Sequence, residues 1–177
     1  MKGWTRFGAL VFACAFLLAL PGAASAKIFL ELDGIQGEST AVGFENQIEL
    51  GSLQLGVGRN SKGASFSDVS VTKQLDKSSP DLMLRAANGT TIPSAKVRFT
   101  KPGEDQVVYL RYCFTGVRIT GFSQSSGGDP PSESVSFSYA SIVQSYTQQA
   151  ATGGAGTVFD TGWDLLKNVE LTTACNN

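Results

Sequence analysis

The sequence predicts a mainly β domain whose long strands curve into a barrel or bent sandwich, with one short α-helix beside them. Three observations carry that prediction. From Lys27 onward Val, Ile, Phe, Tyr and Ser recur at period two between Gly-rich and Pro-rich turns, the pattern of half-buried antiparallel strands. The phase of that alternation slips three times, as bulges make it do. A single segment, around Leu82, abandons period two for a helical signature.

Composition bounds the chemistry. With 177 residues, 42% hydrophobic and 16% charged, the chain is the size of one domain. Its 14 basic residues are balanced by 15 acidic ones, which leaves no cationic excess for neutralising phosphates and excludes a nucleic-acid binder. The chain contains no histidine, so imidazole-based nucleophile arrangements, His-containing zinc sites and a histidine general base are all absent. Catalysis would have to rest on carboxylates, Lys, Tyr or Ser. No cofactor or metal site is expected, and the chain is read as non-enzymatic.

The first 26 residues read as a cleavable export signal. Lys2 and Arg6 precede an uncharged run from Phe7 to Leu20, and Ala24-Ser25-Ala26 places small residues at the cleavage positions. The apolar run is too short to span a bilayer, which takes roughly 20 residues. Cys14 lies inside it and leaves with it. The domain is then 27–177, a chain of 151 residues with no membrane span. Losing Lys2 and Arg6 takes its formal charge from -1 to -3. A domain of that size buries about 68 to 70% of its unfolded surface and needs no obligatory staple. Cys113 and Cys175 remain, and a periplasmic or extracellular destination would allow one disulfide between them.

The elements follow in order. Ile48 and Leu50 give way to Leu53, Leu55 and Val57 across Gly51-Ser52, the first slip. Ser78-Ser79-Pro80-Asp81 supplies a capping hydroxyl, an early proline and an acidic first turn, and Leu82 to Ala87 continue as a helix of about ten residues. Asn88-Gly89 ends it by tolerating a left-handed turn, and the sequon Asn88-Gly89-Thr90 is read as that stop. Lys101 to Asp105 joins a strand over Ala95 to Thr100 to one over Gln106 to Gly116 as a hairpin. The apolar phase is even at Val108, Leu110, Tyr112 and Phe114 and odd at Val117 and Ile119, which places a bulge near Gly116. A third slip separates Val135, Phe137 and Tyr139 from Ile142 across Ala140-Ser141. Such bulges add twist and turn corners. Arg59 to Ser67, Gln124 to Ser132 and Ala150 to Gly156 are expected to be flexible loops.

Candidate chemistry is sparse. Glu31, Asp33 and Glu38 have no recognised cation-loop spacing, and Asp33-Gly34 and Gly37-Glu38 read as turns on a solvated bend. Ser123 to Gly128 lacks the lysine and spacing of a phosphate loop. Lys73, Asp76 and Lys77 read as a solvated face. Ser134, Ser136 and Ser138 alternate with apolar neighbours and line one side of a strand, facing either solvent or a wet lumen. Trp163 reads as a core aromatic.

Several stretches, in order along the chain, resemble Hcp, the haemolysin-coregulated tube protein family of type VI secretion. They are Ile28-Phe29-Leu30 with Asp33 to Ser39, Val71-Thr72-Lys73 through Asp76 to Pro80, and Asn88-Gly89. Then come Ser126-Gly127-Gly128-Asp129 with Pro131 to Phe137, and Gly162-Trp163-Asp164-Leu165. The resemblance implies a small antiparallel β-barrel of two sheets with one flanking helix. It also implies a homo-hexameric ring with a wide channel, rings that stack into a tube, and partners among spike, sheath and effector proteins. Its matched loops are the candidate assembly elements: Asp33, Gly34, Gly37, Glu38 and Ser39 in one, Gly127, Gly128, Asp129 and Ser132 in the other.

Two features depart from the family. The segment Asn60-Ser61-Lys62-Gly63-Ala64 is short where the family has a longer glycine-rich loop, and the export signal would carry the chain away from a cytoplasmic sheath. Two readings follow. In one the chain is a structural, ring-forming protein working after export. In the other it is an exported, freestanding binding module, or a secreted effector, on the same barrel. A carboxylate enzyme built on Glu31, Asp33 and Glu38 is the least favoured reading.

Overall fold

The computed structural model describes residues 26–61, 63–103, 106–149 and 155–175. The expected signal segment lies outside them, apart from Ala26, as do the last two residues of the 101–105 turn and most of 150–156. Six strands close into a barrel: β1 (Ile28–Leu32), β2 (Ile48–Gln54), β5 (Val69–Gln74), β6 (Ile92–Thr100), β7 (Val108–Ser125) and β8 (Ser132–Ser138). All pairings are antiparallel, in the order β7-β6-β1-β2-β5-β8, and β8 returns to β7 to close the ring. Closure leaves these six without a free edge, the principal hazard of an antiparallel sheet.

Period-two alternation fills the interior. Leu30, Leu32, Ile48, Leu50, Val69, Val71, Val97, Phe114, Val117, Ile119, Val135 and Phe137 are all buried in one cluster. Phe114 meets Phe137 and Tyr139 edge-on, with ring centroids 5.4 and 5.0 Å apart. The outside is polar over β2, β5 and β8, where Ser52 bonds Thr72 and Ser70 bonds Ser136.

Two of the three expected slips prove to be one corner. Gly116 has φ +58° and sits opposite Ala140, its missing Cβ only 2.9 Å from that residue's methyl. There the strand on β7's far side breaks into β8 and β9 (Ser141–Gln149), which both pair with the single 18-residue β7. The Ala140 amide holds the break by donating to the Thr115 carbonyl. The slip at Gly51-Ser52 is a register shift between Leu50 and Ser52 against β5. β7 extends well past the Gly116 expected as its end, and a further shift near Gly121 re-seats it on β8. β9 continues outward into β10 (Ala155–Asp164) and β11 (Val169–Leu171), an extension flanking the barrel. Asp164 accepts the amides of Leu166 and Lys167 in the intervening turn. The Lys167 amide bond, ahead of its side chain, holds that carboxyl below the usual range.

Helix α1 (Ser79–Asn88) has the expected length, and its stop at Gly89 is left-handed at φ +65°. Its cap differs from the expectation. The Ser78 hydroxyl turns back to Asp76 and makes no capping bond. The stretch Arg59 to Ser67, expected as a loop, is largely a hairpin of β3 (Val57–Asn60) and β4 (Gly63–Phe66). Its Gly, Ser and Arg content hides a strand pattern, and Phe66 anchors it against Trp163 and Tyr139 at 6.4 and 6.5 Å. Trp163 is half-buried at the edge of the core. Cys113 and Cys175 are disulfide-bonded across 62 residues, strapping the chain after β11 to β7.

Candidate functional site

β1 and β5 run the same way, since both are antiparallel to β2. The segment after Leu32, the start of α1 and the loop joining β7 to β8 therefore all lie at one mouth of the barrel. The two candidate assembly loops meet there. Asp33 is exposed and ties β1 to β6 through its amide and the Ser94 carbonyl at 3.1 Å. Gly34 turns the chain at φ +78°. Gly37 and Ser39 are buried: Gly37 donates to the Asn46 carbonyl at 2.7 Å, and any side chain on it would strike the backbone of Gln47 and Ile48. The Ser39 hydroxyl bonds Glu49 and accepts the Ala41 amide. Glu38 is exposed and accepts the Lys77 amide at 3.0 Å. In the second loop Gly127, Gly128, Asp129 and Ser132 are all exposed. Ser132 pairs with Gln74, and the Asp129-Pro130 bond is cis.

The two loops are linked through a buried ion cluster where the sequence suggests a solvated face. Lys73 is 3% exposed. Its ammonium reaches Glu133 at 2.7 Å, Asp76 at 2.8 Å, Ser79 at 3.0 Å and the Gln74 carbonyl. Glu133 also accepts from Ser79 and from Gln124 at 2.9 Å. The physical reason is phase. Lys73 continues the inward series Val69, Val71, and Glu133 precedes the inward series Val135, Phe137. The two are direct register partners on β5 and β8. Extending each apolar phase by one further period, two residues along the strand, would have found them. Lys77, by contrast, is exposed, and its ammonium bonds Asn46.

The carboxylates of Glu31, Asp33 and Glu38, read from the sequence as turn and bend residues, do not form one group. Glu31 and Asp33 line a groove of about 840 Å³, whereas Glu38 borders a separate one of about 450 Å³ beside Lys73 and Asp76. Glu31 is held by Arg98 at 2.6 Å. The larger groove runs between the outer face of β1, β6 and β7 and the 33–47 segment, whose Phe44 stacks on Phe29 at 4.3 Å. Among the described residues no group of His, Cys, Asp and Glu is placed to hold a metal ion. No helix among them is long and apolar enough to cross a membrane.

Large apolar side chains are exposed at several places, Val42, Val57, Leu75 and Val107 among them, and two groups on unlike elements stand out. Met83 and Leu84 project from α1, and Tyr146, Val158, Phe159 and Val169 from the extension. Tyr146 and Phe159 are cross-strand partners and follow Leu110 on one row. A smaller apolar groove of about 210 Å³ lies beside them, between Leu55, Phe66, Tyr112 and Trp163.

Comparison with known proteins gives this geometry a family. The family described as "Type VI secretion system effector, Hcp" matches residues 29–146, well over half of the chain. "Protein hcp1" of Pseudomonas aeruginosa is 36% identical over 107 residues. The match covers 58% of this chain and 66% of that protein, just under two thirds of its length. Among solved structures, a type six secretion system protein superposes with a TM-score of 0.79 at 27% identity, covering 83% of this chain and all of the other. Hcp1 from Salmonella typhimurium gives 0.73 at 27% identity, over 83% and 99% of the two chains. A type VI secretion system effector from Yersinia pestis gives 0.69 at 28%, over 78% and 99%. With the closed six-strand barrel, the flanking helix α1 and a match running from β1 into β9, the chain belongs to the Hcp family of type VI secretion proteins.

Proposed function

We propose that this chain is a non-enzymatic structural protein that assembles into hexameric rings after export, and that the rings form a conduit for effector proteins. The observation that supports assembly is the pair of unlike apolar surfaces, one on α1 and one on the β9-β10-β11 extension. A head-to-tail interface needs two different complementary patches on each copy, and closes into a ring when the rotation between copies allows. The six-fold number comes from the family. The polar exteriors of β2, β5 and β8 suit a wall that faces water. Export is supported by the Cys113–Cys175 disulfide, since such bonds form and persist outside the reducing cytoplasm.

The test is light scattering of residues 27–177 over a concentration series, under oxidising conditions. A stable sixfold mass is the expected result, reduced toward the monomer by Phe159→Glu or Leu84→Glu with the fold intact by circular dichroism. A monomer at every concentration overturns the ring and leaves the freestanding module.

A further inference from the structure

Charge on the two longest adjacent barrel strands has one sign. The charged residues of β6 and β7 are Lys96, Arg98, Arg111 and Arg118, with no Asp or Glu on either strand. This holds in a chain whose acidic residues outnumber its basic ones. Arg98 and Arg111 are direct cross-strand partners, and Lys96 stands opposite Cys113 two residues along the same face. Like charges directly opposed weaken a sheet, so the pair calls for an anion between or beside them. Arg98 has one in Glu31 at 2.6 Å. Arg111 is less well served. Its Nε–H is buried with no acceptor among the described residues. Asp160 shares its row two strands away, opposite Ser145. Burial, and after it the Arg98 charge, push the Arg111 guanidinium below its ordinary pKa, with Asp160 opposing.

Both arginines stand in the wall of the 840 Å³ groove, Arg98 lying 5.9 Å over the Phe44 ring. Gln47 lines the same groove, and its buried side-chain carbonyl has no donor among the described residues. An unmet donor and an unmet acceptor thus belong to two residues that line one groove. A simple carboxylate ion would answer the arginines but bring no donor to Gln47, and inorganic phosphate, although it carries an O–H, would fill only a small part of the space. The volume lies within the range of sites that enclose ligands of many atoms, roughly 300 to 1,000 Å³. A peptide segment supplies both groups, a carboxylate side chain and backbone amides. The rim also carries Glu31, Asp33 and Glu45, which would repel a run of acids.

We infer that this groove is a binding site for a partner polypeptide segment carrying one acidic side chain among neutral or basic residues, its carboxylate seated on Arg98 and Arg111. Planar guanidinium forks favour a carboxylate over other anchors because two parallel hydrogen bonds fix it. The inference does not depend on whether rings form.

Calorimetric titration tests it, using the oxidised chain and two capped hexapeptides that differ only in Glu or Gln at the third position among Ser and Lys residues. The Glu peptide is expected to bind at least tenfold tighter, with the preference shrinking as salt rises. Arg111→Gln should abolish the preference while leaving the melting temperature unchanged or raised, since it removes a like charge facing Arg98. Arg111→Lys, which keeps the charge without the fork, should retain part of the preference and serves as the readout if the Gln variant does not fold. Equal affinities for the two peptides, or a preference untouched in both variants, overturn the site. Displacement of the Glu peptide by inorganic phosphate at equal concentration overturns the polypeptide assignment.

Discussion

Lys73→Met tests the ion cluster at the barrel mouth. The side chains of Lys73 and Glu133 are 1% and 0% exposed, so removing the ammonium strands a carboxylate where water cannot reach it. It also takes donors from Asp76, Ser79 and the Gln74 carbonyl. Breaking a buried pair from one side costs about 3 to 5 kcal/mol. For a domain of about 150 residues each kcal/mol shifts the melting temperature by about 2 to 4 °C, so a fall of roughly 6 to 20 °C is expected. At fixed disulfide state, urea denaturation followed by circular dichroism measures the first quantity and a thermal scan the second. Lys77→Met is the control, because that lysine is solvated and surface substitutions stay within about 0.5 kcal/mol. The pair Lys73→Met with Glu133→Leu should recover at least half of the loss, since apolar residues replace a buried ion pair at little net cost. A single-variant cost below about 1 kcal/mol, or strictly additive losses in the double variant, would refute the reasoning.

Three further outcomes follow from the geometry. Gly116→Val should cost about 1 to 3 kcal/mol by combining a left-handed φ with a β-branched side chain driven into Ala140, read as a lowered urea midpoint; an unchanged midpoint removes the corner from the fold's determinants. Cys175→Ser, or reduction of the wild type, should cost about 4 kcal/mol for a 62-residue closure in the chain-entropy treatment, and equal midpoints with and without reductant would contradict it. Tyr139 is 7% exposed, donates to the Ser67 carbonyl, and is pushed up to about 12 by burial with help from Asp68. A raised folded pKa stabilises below the unfolded value of about 10, so the advantage of wild type over Tyr139→Phe should be complete below pH 10 and vanish as pH climbs toward 12; a constant difference across that window refutes the assignment.

The apolar phase made the barrel legible, including the slips at Gly51 and Gly116. The slip at Ala140 was visible too, but that it faces Gly116 across one corner was not, because pairing between distant strands leaves no local mark. The same gap hid the functional geometry. Lys73 and Glu133 are 60 residues apart, and each looks like a surface charge until register sets them face to face inside the mouth. Arg98 and Arg111 read as unremarkable strand charges until β6 and β7 oppose them. The β3-β4 hairpin escaped notice because only Val57 and Phe66 carry an apolar pattern through its glycines and serines. The matched loops were legible as segments, but which of their residues face inward, Gly37 and Ser39, depends on backbone bonds to Asn46 and Gln47.

Strand β7 belongs to two structures at once. Its first half carries β9 and its second half β8, with no interruption in between. Mechanical load applied to the extension is therefore borne by the same peptide backbone that closes the barrel. Peeling β9 away exposes the row beginning at Leu110 and, within a few residues, reaches the corner at Thr115, where the seam of the barrel begins. The molecule should accordingly yield to force in one step, and hydrogen exchange in β9 and β8 should slow and quicken together. A barrel built this way passes a pull on its flank straight into its wall, so a shape imposed on one side is felt on the other.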